Sequence, residues 1–80
     1  MIDVVGFKVF LKDKGYSDAV VGDTCSRMNR ANRLKEWYFD DLYLYHLEKV
    51  EGFSSLSVSV KSQIRKAVKL YNEYHSLTLK

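Results

Sequence analysis

Two acid-free basic runs hold the residues whose type and spacing could do chemistry on a partner. Arg27, Arg30, Arg33 and Lys35 occupy residues 24–35, and Lys61, Arg65, Lys66 and Lys69 occupy residues 57–72, with no Asp or Glu in either stretch. The arginines recur every three residues, so on a helix they form a stripe. A guanidinium forks onto phosphate oxygens or a guanine edge, where a lysine offers mainly a point charge. Between the runs, residues 36–51 carry Glu36, Asp40, Asp41, Glu48 and Glu51 against Lys49 alone. The basic runs either combine into a single-sign patch that attracts a polyanion, or are neutralised by the acidic block across the fold.

Covalent chemistry has weaker candidates. Six tyrosines invite a nucleophile, but a tyrosine hydroxyl needs a positioned base and arginines that clamp the phosphate. Tyr43, Tyr45, Tyr71 and Tyr74 instead sit at helix-packing spacings and read as core or boundary residues with their hydroxyls reaching water. His46 and His75 are isolated in sequence, and Cys25 falls on the inner side of its helix as a small buried hydrophobe. There is no Gly-rich phosphate loop, Ser-His-Asp set, paired-carboxylate site or Cys/His spacing suited to zinc. The sequence therefore predicts no catalytic residue, no metal, no cofactor and no small-molecule substrate.

Eighty residues make one domain, 1–80, which buries only about 60–65% of its unfolded surface. A content of 46% apolar and 29% charged residues suits a folded chain, and the absence of proline with four scattered glycines favours uninterrupted helices over a turn-rich β fold. One cysteine forms no internal disulfide, which fits a reducing compartment. No apolar run reaches the roughly 18–20 residues of a membrane span, and the N-terminus has no signal-peptide pattern. The expectation is a cytoplasmic protein without a membrane partner.

Four helices must position the basic runs. The first, about 3–14, has Val4, Val5, Phe7, Phe10 and Leu11 as its apolar stripe, Asp3 as N-cap and Gly15 as its end. Ser17 caps the second, about 18–35, whose inner face is Val20, Val21, Thr24, Cys25, Met28 and Ala31. Gly22 weakens it by about 1 kcal/mol relative to alanine, a cost explained by close approach of a neighbouring backbone or simply tolerated. Trp37, Tyr38 and Phe39 then fold back as an aromatic plug. Asp40 or Asp41 caps a third helix through about Glu51, closed by Gly52, with Leu42, Tyr43, Leu44, Tyr45, Leu47 and Val50 around most of its circumference, the pattern of a helix wedged between others. Phe53 packs down and Ser57 caps the fourth helix, about 58–75, with Val60, Ile64, Ala67, Val68, Leu70, Tyr71 and Tyr74 inward. Residues 76–80 are expected to fray.

In this frame Phe7, Phe10 and Leu11 followed by Lys14-Gly15-Tyr16-Ser17, a basic amphipathic second helix, and the closing stretch with Arg65, Leu70, Tyr71 and Tyr74 resemble the N-terminal core-binding domain of tyrosine recombinases and phage integrases. The resemblance covers about residues 5–75. It departs at Val20 and Thr24, where the family often has threonine and an aromatic, and at Ala31, where it often has another aromatic. It implies a small SAM-like orthogonal bundle of four helices. It also implies duplex DNA as partner without chemistry, because the family's Arg, His-x-x-Arg and nucleophilic Tyr set has no counterpart here. The chain is then either an excised recombinase domain or a stand-alone protein using the same module, with Arg27, Arg30, Arg33, Lys35, Lys61, Arg65, Lys66 and Lys69 toward DNA. The competing expectation is a small phage or mobile-element module that captures a protein through the acidic, aromatic segment 36–51.

Overall fold

A computed structural model describes residues 2–78, and among them the chain forms five helices and no strand. Helix α1 spans Val4–Asp13, α2 Asp18–Leu34, α3 Tyr43–Glu48, α4 Glu51–Ser54 and α5 Val58–Thr78. The termini of the long helices follow local chemistry. Asp3 accepts the Gly6 amide at 3.0 Å, Ser17 Oγ the Val20 amide at 3.3 Å, and Ser57 Oγ the Val60 amide at 3.3 Å, so each cap removes one orphan donor. At the end of α1, Gly15 takes φ +93°, with Gly15 N–H donating to Lys12 O and Tyr16 N–H to Leu11 O. That pair of bonds is the Schellman arrangement, which needs a left-handed residue and holds Tyr16 back against the helix it follows.

α2 and α5 form the most extensive helix pair, and α1 packs on both. Val21, Cys25, Met28 and Ala31 of α2 and Ile64, Ala67, Val68 and Tyr71 of α5 are buried together with Phe7 and Leu11 of α1. Beyond α2 the chain is turned by Asn32, whose Oδ1 accepts the Trp37 amide at 2.8 Å. Trp37 is only 7% exposed, lies edge-on to Tyr71 at 4.7 Å, and donates its indole N–H to Asn72 Oδ1 at 2.9 Å. Tyr43 is fully buried, and its hydroxyl lies 2.7 Å from Lys35 O and 3.2 Å from Ala31 O, so the phenol ties α3 to the end of α2. Among the described residues no buried side-chain polar atom lacks a partner.

Several expectations need correction. The third helix is broken: Val50 takes an extended conformation, separating α3 from α4, so five helices stand where four were expected. Asp41 caps nothing. Asp40 Oδ1 accepts the Leu42 amide at 2.7 Å in a turn before α3, whose first residue has no side-chain cap. Gly52 lies inside α4 rather than ending a helix, under Leu34 Cδ2, which an added Cβ would meet at 2.8 Å. The α3 segment is not wedged between others, since Leu42 and Tyr45 are each 55% exposed while Tyr43 and Leu47 face inward. Val5 is 77% exposed and Val20 is exposed too, so neither belongs to the core. A Cβ on Gly22 would meet nothing outside its own helix within 4 Å, which leaves tolerance as the explanation for that glycine. Of the plug residues, Trp37 alone is buried, with Tyr38 and Phe39 open to solvent. Finally, residues 76–78 continue α5; the rest of the tail expected to fray lies outside the described residues.

Candidate nucleic-acid interface

Successive residues of a helix turn by about 100°, which separates cations adjacent in sequence. Arg65 swings toward α3 and α4. Its Nε donates to Glu48 Oε1 at 2.8 Å, Nη2 contacts the same oxygen, and the guanidinium carbon lies 5.6 Å from the Phe53 ring centroid. Lys61, one turn earlier, falls about 40° from it. Lys66 lies about 100° round the helix from Arg65 and lines a groove between α2 and α5, with Lys69 between the two directions. On α2, Arg27 is half-buried on that groove and donates Nε–H to Gln63 Oε1 at 3.0 Å. Arg30 and Arg33 are exposed, turned about 60° and 120° from Arg27. Lys35 places its ammonium 5.8 Å from the Tyr38 ring centroid.

The structure therefore brings Arg27 and Lys66 together at one groove and pairs Arg65 with an acid of the middle segment. Two of the remaining ion pairs use other cations: Lys12 holds Asp18 at 3.2 Å and Lys14 holds Glu73 at 3.1 Å. Among the described residues no carboxylate lies within ion-pair distance of Arg30, Arg33, Lys35, Lys61, Lys66 or Lys69.

The groove was not legible from charge alone. Tyr16, Val20, Thr24, Gln63, Ala67 and Leu70 complete its lining with Arg27 and Lys66, enclosing about 140 Å³. Its walls are mostly apolar and no carboxylate lines it. A signal was present in Gln63, which stands one turn before Ala67 on the flank of α5 that meets α2.

The groups considered for covalent chemistry are placed for packing. Burial pushes the Cys25 thiol up, so the thiolate needed for reaction is disfavoured. Burial pushes the Tyr43 phenol up to about 12, with Tyr38 adding to the effect. His75 lies against Trp37 and Phe39 at ring-centroid distances of 4.9 and 4.6 Å, and His46 against Tyr45 at 5.5 Å. Among the described residues no three His, Cys, Asp or Glu side chains gather as metal ligands, and no helix is long and apolar enough to cross a membrane.

No protein-family model, curated protein or solved structure matches this chain.

Proposed function

We propose that this chain is a duplex-DNA-binding module without a catalytic site of its own, with the SAM-like arrangement of a recombinase core-binding domain and a reducing, cytoplasmic setting. The supporting observation is how the ion pairs are distributed. Asp18, Glu73 and Glu48 are engaged by Lys12, Lys14 and Arg65, while Arg30, Arg33, Lys66 and Lys69 project from neighbouring helices without a carboxylate of the described residues in reach. Unneutralised cations on two packed helices can displace the counterions condensed on a phosphate backbone. Arg65, paired with Glu48, contributes less free charge than its neighbours, whereas Arg27, held by the neutral Gln63, keeps its charge.

Salt dependence tests this reading. With about four to six phosphates neutralised, log K falls against log salt with a slope of about −4 to −5, and replacing Arg30 and Lys66 together flattens it by about 2. A protein with no affinity for duplex at low salt has another function.

A second reading is favoured by one observation: Phe39, Leu42 and Tyr45 are exposed beside Asp40 and Asp41 in the middle segment. Exposed apolar groups ringed by acids suit capture of a basic protein surface. Trp37 is not part of such a surface, because it is buried. Chemical-shift changes on residues 38–45 upon adding a partner, with none on 27–35 and 61–69 upon adding duplex, favour this alternative.

A further inference from the structure

The groove between α2 and α5 has a chemistry that phosphate neutralisation alone does not use. Its apolar part is Val20, Ala67, Leu70 and the ring of Tyr16, its polar part Thr24 and Gln63, and its edge the two cations Arg27 and Lys66. Tyr16 is half-buried, placed by the Schellman turn and packed against the edge of the core, yet among the described residues its ring meets no other aromatic ring and its hydroxyl makes no hydrogen bond. Every other tyrosine of the chain packs on another ring. Arg27 spends Nε on Gln63, which fixes the guanidinium plane and leaves its terminal nitrogens to donate outward. Glu73, one turn beyond Leu70, is engaged by Lys14.

We propose that this groove takes one unpaired nucleotide of a DNA strand, the base lying against Tyr16 and Leu70 and its phosphate meeting Arg27 and Lys66. The assignment rests on the DNA-binding reading and narrows it to ends, gaps and junctions over continuous duplex. Size agrees: a cavity of about 150 Å³ accepts one planar aromatic ring, and this groove encloses about 140 Å³. Charge agrees too, because both ionised groups in the lining are positive. An aromatic face beside a basic edge holds single-stranded nucleic acid without reading its sequence, since every base offers a π face.

The test compares a blunt duplex, the same duplex with one unpaired thymidine, and the same overhang carrying an abasic residue, by fluorescence anisotropy on the full chain. The expected result is about tenfold tighter binding of the thymidine overhang, a gain absent with the abasic residue, retained in Tyr16→Phe and lost in Tyr16→Leu. Equal binding of all three DNAs overturns the groove assignment and leaves the duplex reading standing. No binding of any DNA overturns both. If Tyr16→Leu does not fold, amide shifts in the unmodified protein decide: overhang-specific changes at Tyr16, Val20 and Leu70 support the site, and their absence overturns it. Shifts there that depend on protein concentration alone assign the groove to a second copy of the chain and likewise overturn it.

Discussion

The phenol of Tyr74 donates a 2.6 Å hydrogen bond to Oδ2 of Asp3, a residue 71 positions away whose other carboxylate oxygen accepts the Gly6 amide. The Asp3 amide in turn donates to the Tyr71 hydroxyl at 2.8 Å. One residue thus caps α1 and fastens it to α5, and its titration matters to both.

The Tyr74 bond, and after it the Gly6 amide, hold the Asp3 carboxyl below its ordinary 3.8, while the same bond pushes the Tyr74 phenol up to about 12 from 10.0. A depressed carboxylate contributes stability above its unfolded pKa and loses that contribution as pH falls through the folded value. A raised phenol contributes below about pH 10 and loses it as pH climbs toward about 12. The thermal midpoint is expected to drop below about pH 4 and again above about pH 10, with both limbs flatter in Tyr74→Phe. Melting curves followed by circular dichroism check this, and identical limbs in the two proteins mean the bond does not form in solution.

Two glycines in helices should respond to alanine with opposite signs. A Cβ on Gly6 would land on the Tyr74 hydroxyl and the Asp3 carboxylate, with Tyr74 Cζ at 2.9 Å, so Gly6→Ala has to break the link between α1 and α5. The lost link outweighs the helix-propensity gain, and the midpoint falls. Gly22 is exposed with nothing within 4 Å, so Gly22→Ala should stabilise by about 0.5–1 kcal/mol. Denaturant titrations of the pair measure both signs.

Ile64 is completely buried between α2 and α5, and Ile64→Ala is expected to cost about 2–5 kcal/mol, enough to unfold much of a small domain. Trp37→Ala should cost about 3–5 kcal/mol and leave Asn72 without its indole partner. Exposed Lys69→Ala should stay within about 0.5 kcal/mol. Equal midpoints for the Ile64 and Lys69 variants would reverse the assignment of the α5 faces.

Glu48 restrains Arg65 in a half-exposed pair, which is worth no more than about 1 kcal/mol to the fold. Glu48→Gln therefore changes stability little but releases a cation. On the DNA-binding reading the salt slope steepens by about 1, measured by anisotropy across salt concentrations. Unchanged slope in this variant places Arg65 outside the interface.

What was legible in the sequence was mostly local. Asp3, Ser17, Ser57 and Gly15 act on backbone groups within a few residues, so the ends of α1 and α2 and the start of α5 follow from residue type and spacing. Periodicity likewise placed Met28, Ile64 and Tyr71 inside. It could not separate half-buried Val4 from exposed Val5, or show that Tyr45 turns outward while Tyr43 reaches Lys35, because those outcomes depend on which face another helix covers. Gly52 signalled an end near the break at Val50, but not that the chain resumes helix at Glu51 with the glycine inside the new turn. For the candidate site, the basic runs were visible, but their division was not. It is made by Arg27 to Gln63 across 36 residues and Arg65 to Glu48 across 17.

The link from Asp3 to Tyr74 also sets when the domain can close during its synthesis. Phe7 lies edge-on to Tyr71 at 5.1 Å and Phe10 is tilted on Tyr74 at 5.5 Å, so the aromatic part of the seat of α1 comes from residues near the end of the described chain. A ribosome adding about 5–20 residues per second leaves the first helix waiting seconds for that seat. During that interval α1 has only α2 to lean on, and Phe10 faces water. The domain reaches its closed form only after α5 has been made as far as Tyr74.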